Sequence, residues 1–410
     1  ARGAVNNLRV VSQEEDDSEP VHGEVKLHVG AVGLNFRDVL NVLGVYPGDP
    51  GPPGGDCAVH ISAAGTGFSH IKVGDAALGH GLAALASLSK SDARLMAAIT
   101  DSLSFEQACT LPTTWCTVHM ALLAARPAAG HDVLLHAGAG GVGLTSQEYC
   151  HFIGNRAMAN VGRPYKHFFL HKMGLAGRTL SSRDGGAFAI GAAVQLRKSP
   201  LHVVLNSLSL DLLVASVASV GEGGVFDEIG KRAIWTHARH AVSSQAAAYC
   251  VIALDVDMAR EPAWMHGVLE LLAFRLGAGR ATSLLLQSFS MEAQHELAFR
   301  SLQGGRNTGK VVVRTAVRGL GGSEGGQVVT GGTGGLGLIT AGWLAEAQRQ
   351  LHLVLASEGP TLSLLSYSRQ ATNSQGGKVL LPHASFHLGA PITRMHLLSW
   401  RHAAGARGGV

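Results

Sequence analysis

Charge is scarce in this chain. Asp, Glu, Lys and Arg supply 15% of its 410 residues and aromatic side chains only 5%. The net charge of +4 is mild, and the basic residues are dispersed with few aromatics among them, so no nucleic-acid-binding footprint is present. Cysteine is sparse too. Cys57, Cys109, Cys116, Cys150 and Cys250 form no C-x-x-C pair, which removes both a structural zinc site and a disulfide framework from expectation. A reducing, cytoplasmic compartment is the expectation that follows. No run reaches the roughly 18 apolar residues of a membrane span, and residues 1–5 carry no apolar signal core, so no membrane partner is expected. The chain does not begin with Met, which suggests a piece of something longer.

Against these absences stand a hydrophobic content of 46% and 54 glycines. The first marks a globular protein with length for two or three domains. Among the glycines one stretch organises the rest. Residues 133–144 read as a short apolar strand, a glycine-packed turn and the start of a helix, with Gly138, Gly140 and Gly143 in G-x-G-x-x-G order. The first glycine lets the chain turn sharply, the second lets a pyrophosphate approach the backbone, and the third lets the helix sit close on the strand. Gly141 and Val142 belong to the same cofactor set, and the helix that runs on through Thr145 to Tyr149 offers its N-terminal N–H groups to the anion. Such runs also arise in plain packing turns, but the strand before and the helix after supply the context the motif demands.

In chain order, 24–29 alternates polar and apolar as a half-buried strand, and 33–48 passes from a strand end into a short helix closed by a Pro/Gly-rich loop. More strand-and-turn pattern follows at 58–63 and 71–75. Ser104 and Gln107 form a capping box on a helix that meets Pro112, and a second helix from about 114 to 125 leads into the glycine turn. From roughly 130 to 255 strands and helices alternate, as a doubly wound sheet requires. A helix over 265–276 and a strand over 310–313 follow. Residues 316–326 have linker composition, and a second glycine turn opens at 327 with Gly331, Gly335 and Gly337, followed by a helix over 339–349 and a strand over 351–356. Beyond 359 the periodicity is too faint to place elements.

Nine short segments together resemble the enoylreductase domain of modular polyketide and animal-type fatty acid synthases, in the medium-chain dehydrogenase/reductase superfamily. They are 2–8, 32–40, Tyr46-Pro47-Gly48, 54–58, Thr110-Leu111-Pro112, 140–143, 181–184, 204–208 and Glu228-Ile229-Gly230-Lys231, in the family's order across about 1–315. The resemblance implies an α/β fold: a GroES-like, mostly-β substrate domain (1–125, completed by about 256–315) and a doubly wound parallel-sheet Rossmann domain (126–255). After the linker, 327–410 resembles the opening of a short-chain-type ketoreductase, an incomplete second Rossmann unit. Glu358, where that family carries an arginine, would repel a 2′-phosphate, and no later Ser, Tyr and Lys triad can be assigned.

The implied activity is transfer of a hydride from NADPH to the β-carbon of an α,β-unsaturated acyl thioester, with protonation at the α-carbon. The implied partners are an acyl carrier protein with its phosphopantetheine-linked acyl chain and other synthase domains, and a homodimer is compatible. The resemblance maps proton-donor positions onto Lys231 and Asp255 and a site tyrosine onto Tyr46. Asp257 is an alternative to Asp255, and each of these residues also reads as an ordinary surface or packing group. Asn35 and Arg37 either hold the loop or contact the cofactor. Asn206 belongs to the cofactor set.

Cofactor choice has an argument of its own. A fold preferring NAD places Asp or Glu about 20 residues beyond the glycines. Residues 156–166 contain no acid but hold Arg156, Arg163 and Lys166, which favours NADPH, although a basic surface loop has the same composition. No metal is expected: His237 and His240 read as a solvated helix pair. Two rival readings remain at this level. One is a free-standing quinone or alkenal reductase of the same superfamily. The other is a non-catalytic scaffold domain of a megasynthase, motivated by the irregular segment 155–177 and by His202 where the family has an acid.

Overall fold

The computed structural model describes residues 2–13, 18–99, 103–175, 177–196, 200–208, 212–230, 234–243 and 247–315, with the backbone of strands Gly326–Thr330, His352–Ala356, Thr361–Thr372 and Lys378–His387. The chain divides into two compact units, Ala1–Val317 and Arg318–Val410.

The first unit holds two sheets. Strands β1 (Glu24–Leu34), β2 (Asp56–Ala64), β3 (Ala76–His80), β4 (Leu88–Asp92) and β5 (Met96–Ala98) belong to the first. Strands β6 (Asp132–Leu135), β7 (Arg156–Val161), β8 (Thr179–Ser181), β9 (Leu201–Asn206), β10 (Val220–Glu228) and β11 (Ala248–Val251) form the second. The chain then returns to the first sheet with β12 (Leu286–Ser290) and β13 (Lys310–Arg314), giving the order β12-β13-β1-β2-β3-β5 with β4 also on β1. All its pairings are antiparallel except β12 with β13. β13 lies against β1 with Ala31 opposite Arg314 and Leu34 opposite Val311.

The second sheet is wholly parallel, in the order β11-β10-β9-β6-β7-β8. Its strands read as continuous apolar runs because both faces are covered. Val133 and Leu135 enter one cluster with Val203 and Leu205, while Leu134 enters the other with Val204 and Phe226. The chain winds outward from β6 through β7 and β8, then crosses to β9 on the other side. That reversal makes the β6/β9 edge the switch point where such sheets bind ligands.

Local chemistry fixes the helices beside it. Asn35 and Asp38 form a reciprocal capping box on Phe36–Val42, and Ser104 with Gln107 does the same for Phe105–Ala108. Pro112 begins the helix Pro112–Ala125 at a position where its missing N–H costs nothing. The helix Pro262–Gly277 buries Met265, Val268, Leu269 and Leu272, an i, i+3, i+4, i+7 stripe, against Leu78, Leu111 and Trp115. Burying each such side chain contributes roughly 1.5–3 kcal/mol.

In the second unit β14 (Gly326–Thr330) pairs parallel with β15 (His352–Ala356). β16 (Thr361–Thr372) and β17 (Lys378–His387) then add antiparallel, which departs from an all-parallel continuation. These two strands occupy the stretch where the sequence placed nothing. The expected helix over 339–349, and Gly331, Gly335 and Gly337, lie outside the described residues.

Candidate active site

The glycine turn follows β6, and each glycine has a definable reason. A Cβ on Gly138 would lie 2.5 Å from that of Ala159, and one on Gly143 would lie 2.5 Å from the Gly138 Cα. The helix therefore packs on the turn backbone itself. At Gly140 a Cβ would meet only Ala137 O, at 3.2 Å, so this position faces space. Gly140 is the N-cap of the helix Gly141–Ile153, and no side chain caps it. Ala137 takes a left-handed φ of 51°, held by its N–H donating to Asn160 Oδ1 at 2.9 Å, while Gly138 N–H donates to Asn160 O at 2.9 Å. An open turn with uncapped N–H groups at a switch point fits a dinucleotide pyrophosphate.

Beyond β7, Arg163 and Lys166 stand together with Arg183. Burial, then Arg163 and Arg183, hold the Lys166 ammonium below its usual range. Among the described residues none of the three cations is paired with a carboxylate. Instead Arg163 Nη2 donates to Gly304 O at 3.2 Å and Lys166 Nζ to Gly305 O at 3.0 Å. The buried Arg163 Nε has no partner among the described residues. Three cations short of an anion fit a 2′-phosphate.

At the end of β9, Asn206 Nδ2 donates to Glu228 Oε2 at 2.7 Å and to Leu208 O at 3.0 Å. Its amide thus shapes the crevice wall, and both its protons are committed within the protein. Glu228 Oε1 in turn accepts from Gly230 N–H at 2.7 Å, fixing the backbone directly ahead of Lys231. Lys231 itself lies outside the described residues.

The structure brings together two of the residues assigned to proton chemistry. The Tyr46 hydroxyl donates to Asp255 Oδ2 at 2.8 Å. Arg37 lies over the Tyr46 ring at 5.4 Å and approaches Asp255 at 3.9 Å. Burial, and then the Asp255 bond, push the Tyr46 phenol above its ordinary range. Asp257, the alternative partner, is instead turned to Arg260 at 3.0 Å. A depression of about 340 Å³ beside Tyr46 is lined by Asn41, Gly44, Gly48 and Pro50.

Sequence reasoning missed a buried network behind these groups. Lys310 Nζ donates to Asn35 Oδ1 at 2.6 Å and Asp56 Oδ2 at 2.8 Å. Asp56 Oδ1 accepts from the Thr113 N–H and hydroxyl, and His80 Nδ1 lies 3.4 Å away. Burial alone would raise the Asp56 carboxyl, yet Lys310 and His80 bring it below its ordinary value. Asn35 thus belongs to this network, while Arg37 belongs with Tyr46. Among the described residues no group of three His, Cys, Asp or Glu side chains could hold a metal ion, and no helix is long and apolar enough to cross a membrane. His202, in the acid's place, accepts from Asp132 N–H at 3.2 Å and stacks on His131.

A parallel sheet with an open glycine turn at its switch point, joined to a mostly antiparallel sheet, defines a medium-chain dehydrogenase/reductase. Comparison sharpens this. The solved CurK enoyl reductase is 30% identical with a TM-score of 0.70, the match covering 77% of this chain and 97% of that one. A phenolphthiocerol/phthiocerol polyketide synthase of Mycobacterium tuberculosis is 29% identical over 381 residues, 88% of this chain and 17% of that protein. Erythronolide synthase EryA2 of Saccharopolyspora erythraea is 32% identical over 357 residues, 87% of this chain and 10% of that protein. The chain therefore spans less than a fifth of the curated relatives it matches. No family model matches it. The chain belongs to the enoyl reductases of polyketide synthases.

Proposed function

We propose that this chain reduces the α,β double bond of an acyl thioester with NADPH, the acyl group arriving on the phosphopantetheine arm of an acyl carrier protein within a synthase. The observation that carries this is the Tyr46–Asp255 hydrogen bond, a held proton in a site of this family. Bound NADPH supplies the hydride. Gly138, Gly140, Gly141, Val142 and Gly143 would hold its pyrophosphate, and Arg163, Lys166 and Arg183 its 2′-phosphate, because they offer N–H groups and cations with no competing acid.

The chain's own residues manage charge and protons. As negative charge grows on the thioester oxygen, a nearby cation lowers its energy. Lys231 is proposed for that place on the resemblance, one position past the Gly230 N–H that Glu228 holds. The α-carbon needs one proton, and two groups are candidates to deliver it: the Lys231 ammonium and the Tyr46 phenol. The Tyr46 phenol holds its proton in the bond to Asp255; to deliver it, the O–H turns from the carboxylate to the α-carbon, and Arg37 balances the tyrosinate left behind. Arg37 supports the ring from one side.

Support for a synthase context comes from family membership and from the second unit, which we read as the opening of a ketoreductase. Its parallel β14–β15 pair is consistent with that reading. The test is turnover of crotonyl thioesters on acyl carrier protein and on free pantetheine, beside NADPH binding, in Lys231→Ala and Asp255→Ala. Loss of turnover with retained NADPH binding is expected in both. Near-normal turnover in both removes the proposed proton chemistry, and a preference for quinones over thioesters removes the substrate class.

A further inference from the structure

Residues 304–310 run from the cation cluster to the buried Lys310 network and are pinned along the way. Gly304 O, Gly305 O and Arg306 O accept from Arg163, Lys166 and the Tyr165 hydroxyl, the last at 2.6 Å. Buried Asn307 turns its Nδ2 onto Gly309 O at 2.8 Å. Gly309 N–H donates to Ala139 O at 2.8 Å, inside the glycine turn, and Gly309 bridges to Gly140. No side chain fits at Gly309: φ is +72° and a Cβ would lie 1.9 Å from Leu285 O. Lys310 then donates through its backbone to Leu285 O and through Nζ to Asn35 and Asp56. Its Cδ lies 3.5 Å from where a Cβ of Gly141 would be.

One short segment thus touches the 2′-phosphate cations, the pyrophosphate turn and the side chains on the substrate-side sheet. We infer that 304–310 is a strap coupling 2′-phosphate recognition to the placement of Lys310, making Lys310 and Tyr165 positioning residues for the reduction. This rests on the NADPH reading above. The physical logic is that binding energy from a part of the cofactor remote from the reaction orients the groups near it. A phosphate drawing on Arg163 and Lys166 acts on the same donors that hold Gly304 and Gly305. Any tightening or shift there reaches Gly309 and Lys310 through a run held by hydrogen bonds at residues 304, 305, 306 and 309. Lys310 Nζ holds Asn35 Oδ1, while Asn35 Nδ2 is held by Asp56 Oδ2, so the coupling ends where the substrate-side sheet meets the glycine turn.

Such coupling separates this role from a structural one. A strap that only stabilised the fold would respond equally to any adenine nucleotide. A coupled strap responds to the 2′-phosphate.

The test is amide hydrogen exchange on the full chain with 2′,5′-ADP, which carries a 2′-phosphate, and with 5′-AMP, which lacks one. The expected result is slower exchange at Gly309 and Lys310 with 2′,5′-ADP only, and loss of that effect in Tyr165→Phe, an exposed substitution that leaves every charge in place. In single turnovers at saturating cofactor, Tyr165→Phe is expected to slow reduction of a crotonyl thioester by NADPH roughly ten-fold, towards the NADH rate, with the NADH rate unchanged. Protection over 138–143 and 163–166 without any change at 309–310 overturns the strap while leaving the NADPH reading intact. A Tyr165→Phe variant with higher KM for NADPH and unchanged single-turnover rate also overturns it. If 2′,5′-ADP protects none of these segments, the NADPH reading falls and the strap with it.

Discussion

Tyr46 and Asp255 stand 209 positions apart in the chain, yet the phenol hydroxyl donates to the carboxylate at 2.8 Å. One comes from the loop after the first short helix, the other from the helix Leu254–Arg260 that follows the parallel sheet. Tyr46→Phe removes the proton and keeps the ring, so it separates delivery from pocket lining. With the phenol as donor, kcat for a crotonyl thioester should fall about 100-fold or more with NADPH affinity unchanged. Steady-state kinetics and a fluorescence titration check this, and an unchanged kcat would assign the donor role to Lys231.

Lys166→Glu places a carboxylate in a cluster now containing only cations. Losing a charge-assisted bond and gaining repulsion should weaken NADPH binding by about 2–3 kcal/mol, roughly 30–150-fold, and NADH binding far less. Titration of both cofactors against the variant measures the ratio. An unaltered ratio would show that the 2′-phosphate lies elsewhere.

Gly143→Ala sets a methyl 2.5 Å from the Gly138 backbone, where no flexible side chain can yield. The helix must move off the turn, costing about 1–3 kcal/mol of stability, and NADPH affinity should fall with it. Thermal melting and titration together check this. Gly140→Ala meets far less, and should lose cofactor affinity with little change in melting temperature.

Lys310 and Asp56 are a buried ion pair whose loss should be asymmetric. Lys310→Met leaves Asp56 without its counter-charge and should cost about 3–5 kcal/mol. Adding Asp56→Asn removes the stranded charge and should recover a large share. Denaturant unfolding of both variants decides, and equal losses in the single and double variants would mean the pair does not act as a unit.

Asp227 and Glu228 end β10, and burial lifts each carboxyl to about 7, for Glu228 against the bonds from Asn206 and Gly230. Neither Asp227 oxygen has a partner among the described residues. Between the ordinary values of 3.8 and 4.5 and this raised value, the folded protein keeps protons that the unfolded chain has released. Stability contributed by these groups therefore falls as pH rises through that window and stays low above it. Asp227→Asn should raise the melting temperature at about pH 8, by about 2–4 kcal/mol in stability, with the gain shrinking towards about pH 5. A variant profile parallel to that of the parent would show that Asp227 is charged throughout.

What was legible in the sequence follows from where the constraint resides. The glycine turn could be read because a tight strand-to-helix turn demands particular residues at adjacent positions, and the structure gives each glycine a close neighbour or an open space. Tyr46 and Asp255 were reachable only through family resemblance, because nothing local in either segment points to the other. Nothing local separates Asp255 from Asp257; only the fold shows that Tyr46 bonds Asp255 while Arg260 bonds Asp257. Lys310 escaped because a lysine heading an apolar strand reads as a solvent-facing end, and its burial depends on Asn35 and Asp56 far away in sequence. The strands Thr361–Thr372 and Lys378–His387 escaped because their Ser-, Thr- and His-rich composition gives weak alternation.

The return of β13 to β1 carries a consequence for how the chain comes into being. Ala31 is opposite Arg314, so one flank of β1 waits for nearly three hundred residues to be synthesised. At ribosomal speed that is on the order of half a minute, during which part of one long strand presents bare peptide groups to any neighbour able to pair with them. The parallel sheet, finished by Val251, has all of its strands in hand before then. Vectorial folding should therefore close the nucleotide half first, and a chain cut short of residue 310 would keep that half while exposing an adhesive edge on the other.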